Sequence, residues 1–214
     1  MNETPTSEYD RQSQEHNWLS PDVLFGLSYE FTRAGQSLLD IGIGTGLSSI
    51  LFHKAGLLIY GVDGSSEMLE QCAGRALARE LRQWDLHESP LPYSPKSFDH
   101  VIANGVFHLF GDLEPIFDEV ARITKPLGTF GFTIEEQKTG SRDDYVRSKQ
   151  PGVYEKLVKE TGTKHYRHSR AYIAKLLDRS GFAPLKQLEF LAFINPDEQR
   201  DVYFWAYVAQ KRAA

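Results

Sequence analysis

The run Leu38-Leu39-Asp40-Ile41-Gly42-Ile43-Gly44-Thr45-Gly46 constrains this chain more than any other stretch. An apolar segment ends in an acid, three glycines follow at alternate positions, and a helix-compatible run comes next. Glycine has no Cβ and tolerates positive φ, so such a segment turns sharply and lets a ligand lie almost against the backbone. An acid at the strand end can hold a polar or cationic group of that ligand.

The rest of the chain repeats the same grammar. Apolar strands are expected at Leu38–Ile41, Leu57–Val62, Glu80–Trp84, Phe98–Ala103 and Thr129–Ile134. Helices are expected between them, at Leu47–Lys54, from Ser65 or Ser66 to about Ala78, and at Leu113–Thr124. Gly56 suits a helix C-terminus and serine a helix N-cap. A last helix, Ser169–Ser180, precedes Pro184–Phe193 and Val202–Gln210, two strands joined through Asn195-Pro196-Asp197 with no helix between. Strand–helix alternation gives a doubly wound, mostly parallel α/β sheet, and the closing pair adds a C-terminal antiparallel hairpin. Residues from about Glu15 to Arg33 read as two helical pieces, restarted at Ser20-Pro21-Asp22 because proline suits the first helical position. Gln137–His168 fits no sheet element and reads as a mostly helical cap or insertion.

Length and composition set limits. The chain has 214 residues, enough for one α/β domain and a small insertion. A single cysteine, Cys72, allows no disulfide framework, and with no signal-like leader in the first residues this points to a cytoplasmic setting. The net charge of −5 argues against affinity resting on a nucleic-acid backbone. No apolar stretch approaches the roughly 20 residues that span a bilayer, so no membrane partner is expected. Neither a hydrolase elbow nor a phosphate-binding P-loop is present, and the histidines show no zinc spacing, so no metal is expected.

In open α/β sheets ligands bind outside the carboxyl ends of the strands, at the point where strand order reverses. Asp40 to Gly46 follows the first strand, Asp63 the second, Asp85 the third, and Asn104 and His108 the fourth. A nicotinamide site wants G-x-G-x-x-G, and the position of its third glycine is Leu47 here. Asp40 ahead of the glycines would also not help a pyrophosphate. Asp40-x-Gly42-x-Gly44-x-Gly46, followed by Asp63 and Asp85 at successive strand ends, resembles the class I S-adenosylmethionine-dependent methyltransferases. The resemblance runs from about Leu38 to Ile134, and the terminal hairpin agrees with that family's seven-stranded sheet. It implies one methyltransferase domain over 1–214, with 1–34 as a helical lid and 137–168 as the cap. It implies S-adenosylmethionine as cofactor and S-adenosylhomocysteine as product. Asp40 would serve the methionine end, Gly42, Gly44 and Gly46 the close backbone approach, Asp63 and Gly64 the ribose, and Asp85 with Leu86 the adenine; Asn104 lines the same cleft. The carboxylates suit hydroxyl, ammonium and amino donors. Asp63 suits equally the capping of the following helix.

The acceptor is less constrained. Asn104-Gly105-Val106-Phe107 lacks the prolines usual in methyltransferases of nucleic-acid amino groups, and resembles instead the small-molecule branch. His108 fits a general base, and it equally fits a residue that packs over the cofactor. From Arg142 to Arg170 there are eight Lys or Arg against four Asp or Glu, with Tyr145, Tyr154, Tyr166, His165 and His168 interleaved. That composition suits an anionic or aromatic small molecule. Tyr145 and His165, with Tyr9 and Trp18 of the lead segment, are the substrate candidates; the lead segment, which also carries His16, reads as a lid over the site. A monomer and a homodimer fit equally. The other readings are a nucleic-acid or protein methyltransferase, a non-catalytic cofactor-binding module, and an NAD(P)-dependent oxidoreductase.

Overall fold

The structure, a computed structural model, describes residues 8–137, 144–159, 162–195 and 200–213, with backbone alone at residues 8, 9, 12, 14 and 200. Two helices lead, α1 (Glu8–Glu15) and α2 (Ser20–Ser28). Then come β1 (Ser37–Ile41), α3 (Ile50–Lys54), β2 (Leu58–Asp63), α4 (Ser66–Gly74), β3 (Ala78–Gln83), β4 (Phe98–Ala103), α5 (Glu114–Ile123) and β5 (Thr124–Glu135). A short excursion forms β6 (Val146–Arg147), β7 (Val153–Val158) and β8 (Thr163–His168). The chain ends with α6 (Arg170–Arg179), β9 (Phe182–Asn195) and β10 (Arg200–Lys211).

Seven strands make one sheet in the order β3-β2-β1-β4-β5-β10-β9. β1 pairs in parallel with both β2 and β4, so strand order reverses between β1 and β4. β10 runs antiparallel between β5 and β9, as the expected terminal hairpin requires. Ser65 caps α4, its hydroxyl accepting from the Met68 amide at 3.3 Å, and Ser169 caps α6 in the same way.

Two cores hold the sheet between its helices. On one face Leu38, Ile59, Phe52, Leu57 and Cys72 pack with Leu24 of α2. On the other, an aromatic cluster joins α5, α6 and the hairpin. Phe130 and Phe132, two apart on β5, present rings to the same face, and Phe132 stacks on its cross-strand partner Tyr207 at 5.0 Å and 6°. Phe117 of α5 meets Phe132 edge-on at 5.4 Å. Fully buried phenylalanines of this kind are worth about 3–5 kcal/mol each against alanine.

Four details differ from the sequence expectation. The 146–168 segment is not helical: β6, β7 and β8 form a three-stranded antiparallel sheet. Gly152 and Gly162 both sit at positive φ and close turns there, and the run Val153–Val158 has the β-forming Val and Tyr that the surrounding charge conceals. The first helix ends at Glu15 rather than beginning there, and Asn17 turns the chain at φ +50. β3 starts earlier than expected because α4 stops at Gly74, with Ala76 at φ +53. β5 begins at Thr124 and carries its Lys-Pro-Leu-Gly stretch as an irregularity, where Leu127 adopts φ +64.

Candidate functional site

The loop after β1 is held both by its neighbours and by its own turn, in which the Gly46 amide donates to the Ile43 carbonyl at 2.8 Å. The Gly42 and Ile43 amides both reach the Val62 carbonyl of β2, at 2.8 and 3.2 Å. Gly42 sits at φ +69, and a Cβ there would lie 2.5 Å from the Val106 side chain. Gly46 sits at φ +90, where a Cβ would lie 2.9 Å from the Cys72 sulfur. Gly44, at φ +54, faces open space, so its backbone is the part of the loop that a ligand can approach.

Asp63 ends β2 and binds two backbone amides. Its Oδ2 accepts from Gly44 N at 2.8 Å and its Oδ1 from Ser65 N at 2.9 Å. One carboxylate thereby fixes the glycine loop to the start of α4, while Ser65 takes the capping position. Gly64 and Asp85 come together with Gln83, Trp84 and Glu88 around a cavity of about 410 Å³. Asp85 is exposed, and hydrogen bonds from the His87 amide and imidazole hold its carboxyl below the usual range. Leu86 is half-buried and turned toward the aromatic core.

Asp40 lies behind the loop and is almost fully buried. Burial pushes its carboxyl up to about 7, against the lowering effect of the Ser49 hydroxyl that donates to it at 2.8 Å. Asn104 is buried and internally satisfied. Its Oδ1 accepts from Ser20 (2.6 Å) and Thr133 (2.8 Å), and its Nδ2 donates to Ser48 (3.0 Å). Its side chain thus ties α2, β5 and the helix after the glycine loop together at the switch point.

A second cavity, about 290 Å³, opens where β4 ends. Ser13, His16 and Trp18 come from the lead segment, Gly105 and His108 from the turn after β4, Glu135 from the end of β5, His165 from β8, and Phe193 and Phe204 from the hairpin. Gly105 stands at φ +69 with Trp18 against it: a Cβ there would lie 3.1 Å from the indole. Phe193 and Phe204 meet edge-on at 6.1 Å. The rings of His108 and His165 meet at 4.9 Å, nearly perpendicular. Burial and the neighbouring His165 push His108 down to about 4, and burial lowers His165 as well, so both are neutral at pH 7.

Of the substrate candidates, Trp18 and His165 therefore line the cavity with His108, whereas Tyr145 does not. Tyr145 stacks under the Arg167 guanidinium at 3.9 Å, and Arg167 forms a buried ion pair with Glu135. Tyr9 lies on α1, and its side chain falls outside the described residues. In the basic segment Arg167 is paired with Glu135, Lys164 with Glu155 and Lys156 with Asp144, and Arg170 stacks on Trp205; Arg142 lies outside the described residues. Phe193, Phe204 and Glu135 were not singled out from sequence. The rule that selects Asp40, Asp63 and Asp85, an acid at a strand end, applies equally to Glu135. Among the described residues no group of three or more His, Cys, Asp or Glu is arranged to hold a metal ion, and no helix is long and apolar enough to cross a membrane.

Residues 39–132 match the family described as a methyltransferase domain. A demethylmenaquinone methyltransferase of Tropheryma whipplei is 30% identical over 95 residues, covering 44% of this chain and 40% of that protein. A phosphatidylethanolamine N-methyltransferase of Cereibacter sphaeroides is 30% identical over 137 residues, covering 56% of this chain and 66% of that protein. The matches thus span less than two thirds of these relatives' own length. In fold, the chain is similar to the crystal structure of Burkholderia thailandensis 1,6-didemethyltoxoflavin-N1-methyltransferase with 1,6-didemethyltoxoflavin and S-adenosylhomocysteine bound. That likeness has a TM-score of 0.71 at 16% identity and covers 95% of this chain and 83% of the other. The matched segment begins on β1 and ends on β5, so it contains the glycine loop and the strand ends that carry Asp40, Asp63 and Asp85, and over residues 39–132 the chain is a methyltransferase domain of the class I S-adenosylmethionine-dependent kind.

Proposed function

We propose that this chain transfers a methyl group from S-adenosylmethionine to a small aromatic acceptor seated between Trp18 and the Phe193–Phe204 pair. The observation that carries the reading is the aromatic cavity at the end of β4. It opens at Gly105, beside the strand-order reversal, and among the described residues its lining includes no Lys or Arg.

The residues present fit the cofactor. Gly44 leaves open backbone, and Gly64 and Asp85 share a cavity one strand further along. Gly42, Gly44 and Gly46 would let the methionyl part lie against the chain. Asp63 and Gly64 would take the ribose, and Asp85 with Leu86 the adenine. Asp40 would supply negative charge from behind the loop. The bound cofactor supplies an electrophilic methyl group for in-line displacement, so the protein's work is alignment and exclusion of water. Trp18, Phe193 and Phe204 give flat walls that exclude water from the acceptor. A neutral His108 accepts a hydrogen bond from an acceptor hydroxyl or N–H. With its pKa near 4 it is a feeble base, so its role is to orient the nucleophile, and the proton lost by the methylated hydroxyl or N–H passes to solvent as the product leaves. Neutral imidazoles and a Glu135 already paired with Arg167 favour an uncharged aromatic over an anion.

Formation of S-adenosylhomocysteine across a panel of phenols, aromatic N-heterocycles, aliphatic carboxylates and oligonucleotides tests this. Turnover is expected with the aromatic acceptors. Turnover confined to aliphatic carboxylates or nucleic acid overturns the proposal.

A further inference from the structure

We propose that Asp10 and Arg75 are positioning residues that latch α1 across the glycine loop, so that the wall of the acceptor cavity stands only while the loop is clasped. The inference rests on the reading of that loop as the cofactor's cradle.

Asp10 is a carboxylate on a surface helix, yet only 4% of it is exposed. Its Oδ1 accepts from the Thr45 hydroxyl at 2.6 Å, and its Oδ2 is paired with the Arg75 guanidinium. Arg75 in turn donates through Nε to the Thr45 carbonyl at 2.7 Å. Thr45 lies between Gly44 and Gly46 and is itself buried. One threonine of the loop is therefore gripped through its side chain by α1 and through its backbone by the residue that follows α4. A buried carboxylate needs such a partner set, because leaving it unpaired is costly.

The other end of the segment is fixed separately. Trp18 N closes on Ser13 O at 2.9 Å, and Leu19 N donates to Ala192 O of β9 at 3.0 Å. Asp10 and Ser13, three apart, share one face of α1. Ser13, His16 and Trp18 all line the aromatic cavity. The lead segment thus bridges from the glycine loop to the hairpin, with the cavity beneath it. A ligand lying along Gly44 touches the loop on one side while α1 holds it on the other, so loop occupancy and wall position are coupled.

The test uses the full chain with Asp10→Asn, Arg75→Gln and the double variant. The dissociation rate of S-adenosylhomocysteine is read by stopped flow, the KM and kcat for an aromatic acceptor by turnover, and hydrogen exchange over residues 8–19 by mass spectrometry. Each single variant is expected to speed release about tenfold, the usual worth of a hydrogen bond to a charged group. Each should also raise acceptor KM more than it lowers kcat and deprotect α1, with the far-ultraviolet spectrum unchanged. The double variant should be scarcely worse than either single one, because both remove the same clasp. Thr45→Ser, which keeps the hydroxyl, should release product at close to the parent rate. If the parent chain binds S-adenosylhomocysteine and its release is unmoved in both single variants, or their effects simply add, the latch is overturned and the cofactor reading stands. If the parent chain does not bind S-adenosylhomocysteine, the cofactor reading falls and the latch with it.

Discussion

The two ends of the cleft are built by opposite means. The proposed cofactor end is centred on backbone within one short stretch: the loop from Gly42 to Gly46, with Asp63 fastening Gly44 at 2.8 Å. The proposed acceptor end comes from side chains on the lead segment, the β4 turn, β5, β8 and the hairpin, meeting around about 290 Å³. A backbone-built cradle tolerates little change at its glycines and is indifferent to distant substitutions. A cavity assembled from side chains is set by whatever docks the separate segments, and so it can change specificity without disturbing the cradle. Away from the Asp10–Arg75 clasp, which joins the two, mutations at one end should leave the other untouched, and each prediction below is a way to break that separation.

The largest effect is expected at the ion pair that docks the small sheet. Arg167 is buried, pairs with Glu135, stacks on Tyr145 and donates to Gln137 Oε1 at 3.1 Å. Arg167→Ala removes the buried guanidinium from beside Glu135 together with its contacts to Tyr145 and Gln137, and is expected to cost about 3 kcal/mol of stability, read as roughly 6–12 °C in thermal unfolding. The same variant should lose acceptor turnover, because β8 carries His165, while S-adenosylhomocysteine affinity holds within about twofold. Loss of both activities together would show that the two ends are one unit.

Gly42→Ala strikes the other end. The left-handed conformation costs a non-glycine residue about 1–2 kcal/mol, and the overlap with Val106 adds to it. Cofactor affinity should fall about a hundredfold by calorimetry, on the scale of roughly 2.7 kcal/mol. An unchanged affinity would mean that the loop shifts freely and does not form the cradle.

This contrast also governs what the sequence disclosed. The proposed cofactor end was marked in the sequence because alternate glycines, a preceding acid and acids at strand ends are local signals, and a mostly parallel sheet with a terminal hairpin followed from strand–helix alternation, whereas the strand order emerges only in the fold. The roles of Asp63 and Asn104 in joining elements were not legible, since both depend on which amide or hydroxyl a neighbouring element brings within 3 Å. The small sheet was misread because its lysines and arginines obscure a strand pattern that is short and half-exposed, and its strands find their backbone partners in each other rather than in the main sheet. Asp10 carried no sequence signal at all: an acid in a polar lead becomes distinctive only once Thr45 and Arg75 stand beside it.

A smaller effect is expected from the hairpin. Phe204→Ala removes one wall of the cavity and should raise the KM of an aromatic acceptor about tenfold, near 1.4 kcal/mol, with kcat reduced less. S-adenosylhomocysteine affinity should not move. If cofactor binding weakens in step with acceptor KM, the hairpin belongs to the cradle as well, and the division of the cleft is wrong.

The smallest effect tests whether Asp40 feels the cofactor at all. Burial raises its carboxyl to about 7, so near neutrality the free protein holds a proton there part of the time. A cofactor ammonium nearby favours the ionised form and lowers that pKa, so binding releases a proton and affinity rises with pH. The rise is complete once the pH exceeds the free-state value and is lost as pH falls below it. Between about pH 5.5 and pH 7, where an α-ammonium keeps its charge, the affinity for S-adenosylmethionine should increase about tenfold. Calorimetry in two buffers of different ionisation enthalpy should report the released proton directly. Asp40→Asn should flatten the profile, with the Ser49 hydroxyl still partnered by the amide oxygen. A pH-independent affinity in the parent chain would place Asp40 outside the cofactor's field, and reduce it to holding Ser49 and the start of the helix behind the loop.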